Sequence, residues 1–267
     1  MGVISLGATD LAIAAGLVLA LAGLSLWSSL GLTRSILVAA TRTTIQLLLV
    51  GFVLTTLFES ERLLWLVVIA IVMLLAAGRE VRVRQARPLA GAWGFSVGAL
   101  SMFISSFSIT VFALVAVIGA TPWHQPQYAI PLLGMLLGNT MNGIALGTGR
   151  FTEVAYREKR VLEGRLLLGQ TREEATLDLR RESVRTGMLP ILNSMAAAGL
   201  VSLPGMMTGQ ILAGSPPVEA VKYQILIMFL VAAGTGFGVF VSVALTARRL
   251  FDERHRLRLD RLKAHRN

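Results

Sequence analysis

The chain of 267 residues is 54% hydrophobic and only 15% charged, with a mean hydropathy of +0.69. A soluble domain carries about a quarter of its residues as charges, so this composition excludes an ordinary soluble enzyme and leaves a membrane protein whose helices of about 20 apolar residues consume most of the length. The absence of cysteine excludes disulfides, thiolate metal sites and thiol nucleophiles, and the net charge of +10 has to be read from where the charges fall.

Apolar runs bounded by charges or turn residues predict an all-α, polytopic protein with about seven transmembrane helices, over residues 10–30, 36–58, 63–78, 93–119, 128–148, 188–214 and 221–246. The first nine residues carry no Lys or Arg, so the opening run is expected to persist as a span and not to be cleaved as a signal peptide. In the second run Arg42 and Gln46 stand one turn apart, a polar pair expected to be buried against protein. In the fifth, Asn139 and Asn142 share a helix face between Gly134-Met135 and Gly143, with Met141 beside them. Their carboxamides suit either hydrogen bonds between helices or a polar substrate path.

The sixth run is the most unusual. Pro190 precedes Asn193, and the string from Gly199 to Gly209 places Pro204-Gly205 and the pair Met206-Met207 inside apolar sequence. Backbone freed within a membrane must be satisfied by protein or line a cavity, so the break at Pro204 and Gly205 marks a candidate transport path lined by Asn139, Met141, Asn142, Asn193, Met206 and Met207. Thioethers suit a soft metal ion and equally fill helical cores, so no metal site follows from them. The glycine pairs 94/98, 134/138, 143/147, 205/209 and 234/238 each put two glycines on one face, for close helix packing or for a gate.

Of the 25 Lys and Arg residues, 23 fall on one side of these spans: residues 34 and 42, 79–90, the loop 150–187 and the tail 247–267. Only Arg62 and Lys222 fall on the other, which places the C-terminus in the cytoplasm and the N-terminus outside. The basicity is therefore topological, and nothing resembling a nucleic-acid module separates the spans. The whole chain, 1–267, reads as a single transmembrane domain with one large cytoplasmic loop. That loop mixes nine basic and seven acidic residues with leucines, the pattern of short amphipathic helices, as a solvated extension or a docking surface.

No catalytic constellation emerges. There is no glycine-rich phosphate loop ending in Lys-Ser/Thr, so ATP is not expected to bind this chain. His124, His255 and His265 are scattered, two of them in the tail.

The combination of Arg42 and Gln46, Pro131 with Gly134-Met135 and Gly138-Asn139, the Gly199–Gly209 string and Val221-Lys222-Tyr223-Gln224-Ile225 resembles the FetB (YbbM) family of ABC transporter permeases, from about residue 35 to the tail. The resemblance implies the membrane subunit of an ATP-binding-cassette exporter in the cell inner membrane, exporting iron or a related metal ion and supporting oxidative-stress resistance. It also implies a separate FetA-type ATPase that binds ATP and Mg. Two such ATPases closing together would drive a permease homodimer. Glu163, followed six residues later by Gly169, resembles the start of the segment by which such permeases dock on their ATPases. The resemblance also shows a departure: an acidic residue and a lysine of that pattern are replaced by Asn193 and Ala196. The rival class is an ATP-independent secondary transporter of a metal or small solute, which ordinarily places Asp, Glu or His deep in its spans.

Reporter fusions at residues 60, 124, 170 and 260 should read outside, outside, inside and inside. A cytoplasmic signal at residue 124 would contradict the seven-segment topology.

Overall fold

The computed structural model describes residues 7–60, 63–119 and 121–263; Arg62 and His265 lie outside them. All regular elements among these residues are helical: α1 (Ala8–Trp27), α2 (Thr33–Ser60), α3 (Leu63–Arg84), α4 (Trp93–Met102), a π-helical turn (Phe103–Phe107), α5 (Ser108–Phe112), a second π-helical turn (Ala113–Ile118), α6 (Pro126–Arg157), α7 (Lys159–Leu167), α8 (Arg172–Ala175), α9 (Leu177–Ala197), α10 (Gly205–Leu212), α11 (Pro217–Leu250) and a 3-10 turn (Leu259–Arg261). Six stretches are long and apolar enough to cross a membrane: α1, α2, α3, the continuous run Trp93–Ile118, α6 and α11. The chain is thus a multi-pass, all-helical membrane protein. The expected segment 188–214 is not one continuous span, because α9 ends at Ala197 and helix resumes only at Gly205.

The chain divides into two compact units. One holds α1 and α2 together with residues 210–215. Here Asp10 sits in the first turn of α1 and accepts the Gly7 N–H at 2.8 Å, matching negative charge to the positive helix end. The α1–α2 turn requires left-handed backbone at Gly31 (φ 68°), and the Thr33 hydroxyl donates to the Ala22 carbonyl at 3.2 Å across the hairpin.

The other unit runs from α3 onward and is centred on α6, which packs against α3, α9 and α11. Pro126 begins α6 at the position where its missing N–H costs nothing. At 32 residues α6 is about 48 Å long, well beyond a hydrocarbon core of about 30 Å, so its charged end projects past the membrane. The third span likewise continues beyond its apolar run, to Arg84, because Arg79, Glu80 and Arg82 are good helix formers and Arg82 and Arg84 complement the C-terminal dipole.

In this unit α6 and α9 approach backbone to backbone. A Cβ added at Gly187 of α9 would lie 2.7 Å from the Gly143 carbonyl oxygen of α6 and 2.7 Å from Val239 Cγ1 of α11. At Gly143 it would lie 2.9 Å from the Gly187 carbonyl oxygen. Three helices therefore meet where no side chain fits, as small residues allow in membranes. Gly147 continues the contact toward Ser183, whereas at Gly205 and Gly209 an added Cβ meets nothing within 4 Å. The pair 143/147 serves packing; the pair 205/209 does not.

Gly187→Ala should lower stability by about 1–3 kcal/mol, because the obstacle is a carbonyl and not a flexible side chain. Gly209→Ala should be neutral. Thermal unfolding of the detergent-purified protein compares them, and equal midpoints would remove the close approach from the account of this fold.

Candidate functional site

Residues singled out in the sequence fall into two regions of the larger unit and one of the smaller. On α6, Asn139 and Asn142 lie on one exposed face. The Asn139 amide donates to the Met135 carbonyl of its own helix at 2.8 Å, leaving its Oδ1 without a protein partner among the described residues. Asn142 Oδ1 accepts a hydrogen bond from Arg84 Nη1 of α3, and Arg84 also faces Glu80 at 3.7 Å. Met141, on the other side of α6, packs against the core cluster containing Ile144, Val239 and Val243.

Asn193 is exposed near the end of α9. Beyond it the chain folds back on itself: the N–H groups of Ala198, Gly199 (φ 81°), Val201 and Ser202 bond to the carbonyls of Ser194, Ser202, Ala197 and Ala197. Pro204 and Gly205 stand where helix resumes, not where it stops. The Pro204 carbonyl accepts the Thr208 N–H at 3.0 Å and the Thr208 hydroxyl at 3.2 Å, so it is a satisfied helix start and not a freed ligand. Met206 packs against the cluster around Leu132, Leu136 and Ile191, and Met207 is 8% exposed. Among the described residues no three His, Asp or Glu side chains gather as a metal site.

Arg42 and Gln46, expected to be buried, are both exposed on α2, where with Leu37, Val38, Thr41 and Ile45 they line a cleft of about 500 Å³. A two-helix unit covers only one stripe of each helix, so it cannot enclose a pair lying on the other face.

The charged loop is almost wholly helical. After α6, a single break at Glu158 starts α7, on which Glu163 pairs with Lys159 at 3.6 Å. Gly169 ends α7 in the left-handed conformation (φ 90°) that favours glycine, with the Gln170 N–H closing on the Arg165 carbonyl at 3.2 Å. Thr171 then caps α8: its hydroxyl accepts the Glu174 N–H, while the Glu174 carboxylate accepts the Thr171 N–H at 2.8 Å. That backbone N–H, and after it the Thr171 hydroxyl, hold the Glu174 carboxyl below the usual carboxylate range. Leu167 and Leu168, at the tip, are 88% and 85% exposed.

Sequence reasoning missed the order in the tail. After α11 the chain makes a small hairpin closed by the Phe251–Leu257 bridge. Asp252 holds its turn by accepting the N–H groups of Arg254 and Arg256 at 3.0 and 2.9 Å and the Arg256 side chain at 2.8 Å. The Arg256 N–H is the largest cause that lowers the Asp252 carboxyl pKa. The tail is then strapped to the α3–α4 connection by Ala90 N–H to the Arg261 carbonyl and Lys263 N–H to the Pro88 carbonyl. The Arg172 N–H donates to His255 Nδ1 at 3.1 Å, joining α8 to this hairpin. Between them lies a cleft of about 810 Å³ that brings Glu163 and Gly169 together with Arg254, His255 and Arg258. The signal available in sequence was a lone Asp-Glu pair at 252–253 among arginines, the composition of a turn.

An apolar multi-helix bundle with a folded basic end defines a multi-pass, all-helical membrane protein. The family model described as "Uncharacterised protein family (UPF0014)" matches residues 8–251, and the chain belongs to that family. It is 37% identical over 246 residues to a UPF0014 membrane protein of Synechocystis sp., covering 91% of this chain and 93% of that one. It is 33% identical over 260 residues to the "Probable iron export permease protein FetB" of Escherichia coli, covering 95% and 96%. It is 31% identical over 234 residues to the protein ALUMINUM SENSITIVE 3 of Arabidopsis thaliana, covering 88% and 84%. No solved structure matches.

Proposed function

We propose that this chain is the inner-membrane permease subunit of an ATP-binding-cassette exporter of iron or a related metal ion, working as a homodimer with a separate ATPase that binds ATP and Mg. The observation that carries the reading is the mechanical continuity of the charged end. The exposed Leu167-Leu168 tip, the capped α8 and the whole of α9 form one connected lever, and α9 ends at the broken segment 198–204. A partner that pushed on α7 and α8 would move α9 as a unit, because α9 is pinned to α6 and α11 at Gly187. The displacement would be carried past Gly187 to the end of α9, where Ile191 and Met195 pack with Leu132 and Leu136 and Asn193 is exposed, as alternating access requires. The naming of the E. coli relative as a probable iron export permease supports iron export as the substrate class. Asn139, Asn142 and Asn193 are each exposed, and polar side chains left exposed on a membrane helix such as α6 are the kind of surface that a second copy or a hydrated path would cover.

The path itself would handle a cation through neutral oxygen and soft sulfur, which favours transient contact over tight storage. Cells lacking their own exporter, carrying this chain and its ATPase, should show lowered intracellular iron. Glu163→Arg with Gly169→Pro should abolish that lowering with the protein still in the membrane, since proline cannot adopt the φ of 90° at Gly169. Normal export by this double variant would dismiss the loop as the coupling element.

Met206→Leu with Met207→Leu preserves bulk, at Met206 in the cluster it packs against and at the buried Met207, and removes only sulfur. A direct role predicts at least about tenfold slower efflux of iron, copper or manganese, a loss of about 1.4 kcal/mol in the transport barrier. If this variant and Asn139→Ala both export all three metals normally, the proposed lining is wrong.

A further inference from the structure

At the membrane edge of the basic end, α8 and α9 face α11 across a cleft of about 260 Å³ lined by Arg172, Glu173, Thr176, Arg180, Phe240, Ala244, Ala247 and Arg248. Its walls differ in kind. On α11, Phe240, Ala244, Ala247 and Arg248 follow one another at helical spacing along a single face, so an apolar strip runs up to a guanidinium. Phe240 is 59% exposed, as a side chain facing hydrocarbon is. The opposite wall supplies Arg172 and Arg180. Neither Arg180 nor Arg248 has a carboxylate partner among the described residues, and the one acid in the cleft, Glu173, is taken by Arg172 Nε at 2.7 Å.

The level is that of a membrane interface. One residue past Arg248, the Arg249 guanidinium stacks on the Trp93 ring at 4.4 Å, and tryptophan is enriched where headgroups meet hydrocarbon. A second cavity of about 510 Å³ shares Arg172 and Arg248 and is lined further by five arginines against two acids, Asp252, which pairs with Arg256, and Glu253, so the surroundings of the cleft stay net positive away from the apolar strip.

We propose that this cleft binds the phosphate headgroup of an anionic phospholipid, with an acyl chain lying along Phe240 and Ala244. Charge complementarity selects the anion: guanidinium groups pair with phosphate oxygens through charge-assisted hydrogen bonds. The apolar strip selects a lipid over free phosphate, which would leave Phe240 and Ala244 without a counterpart. The site touches both α8, beside the coupling tip, and α11, so a bound lipid would brace the charged end against the membrane. It rests on α11 being a span and on nothing in the transport reading.

The full chain, purified in neutral detergent, is titrated with dioctanoyl phosphatidylglycerol and dioctanoyl phosphatidylcholine, with bound lipid counted by native mass spectrometry. The anionic lipid should bind at least about tenfold more tightly. Replacing Arg172, Arg180 and Arg248 together with Gln should bring the ratio to within about twofold, whereas Arg157→Gln, Lys159→Gln and Arg160→Gln, the same charge removed elsewhere, should leave it unchanged. Should the cleft variant fail to fold, the unmodified protein still decides: raising salt from about 50 mM to about 500 mM should shrink the preference several-fold. Equal affinity for the two lipids, a preference that survives the three cleft substitutions or ignores salt, or displacement of the lipid by equimolar inorganic phosphate would each overturn the proposal.

Discussion

The larger unit depends on one place where backbone touches backbone. With Gly143 and Gly187 in contact and Val239 pressed against both, α6, α9 and α11 are locked at a point near the middle of the helical layer. In lipid there is no hydrophobic drive between apolar helices, so close approach and the dispersion it brings have to hold them together. The lock divides α9 in two. Toward its start the helix is charged and anchored to the α7–α8 platform; toward its end it is exposed, polar at Asn193 and then interrupted. A helix pinned near its centre and interrupted past its far end can transmit tilt without shearing its own hydrogen bonds.

The second organising feature is that the basic end is folded. Read as composition, 23 basic residues on one side are a topological signal. In three dimensions many of them are structural: Arg261 donates to the Arg249 and Phe251 carbonyls at 2.7 and 3.3 Å, Arg258 grips Asp260 at 2.8 and 2.9 Å, and Arg87 lies 3.7 Å from the Tyr156 ring centroid while facing Glu153 at 3.5 Å. The Arg258–Asp260 pair is exposed, so it contributes little alone. The effect of these contacts is geometric, setting the hairpin against the α3–α4 connection and α8.

What could be read from the sequence was whatever hydropathy and breakers encode. The spans emerge from runs of 20 apolar residues, the loop helices from Leu interleaved with charge, and the α9–α10 interruption from Pro204 and its glycines. The errors share a cause. Sequence alone ended the third span at residue 78 because charge stops a hydropathy run, yet helix continues through Glu80 to Arg84 and so carries a guanidinium to Asn142. It placed the break at Pro204, because proline is the conspicuous residue, although proline starts a helix as readily as it stops one. Burial of Arg42 and Gln46 was inferred from the cost of exposing them to lipid, a cost that says nothing about which partner covers them. Contacts between distant residues, such as Arg172 with His255, leave no local pattern at all.

The Arg84–Asn142 contact also constrains any cation path along α6. A carboxamide oxygen that accepts from a guanidinium is a poor ligand, and the guanidinium itself repels a bare cation at short range. Of the two amides, Asn139 therefore offers the better oxygen, and on the proposed route a cation reaching Asn142 would first have to shift Arg84 toward Glu80, 3.7 Å away. That exchange is local, needs no proton, and would turn a positive barrier into a neutral passage with a carboxylate screened behind it. A substrate carried as a neutral or anionic complex would meet no such barrier and could use the Arg84 guanidinium as a contact. On the proposed transport reading, the charge state of the cargo is thus tied to the position of one arginine side chain, which lies just beyond the point where the apolar run of α3 ends.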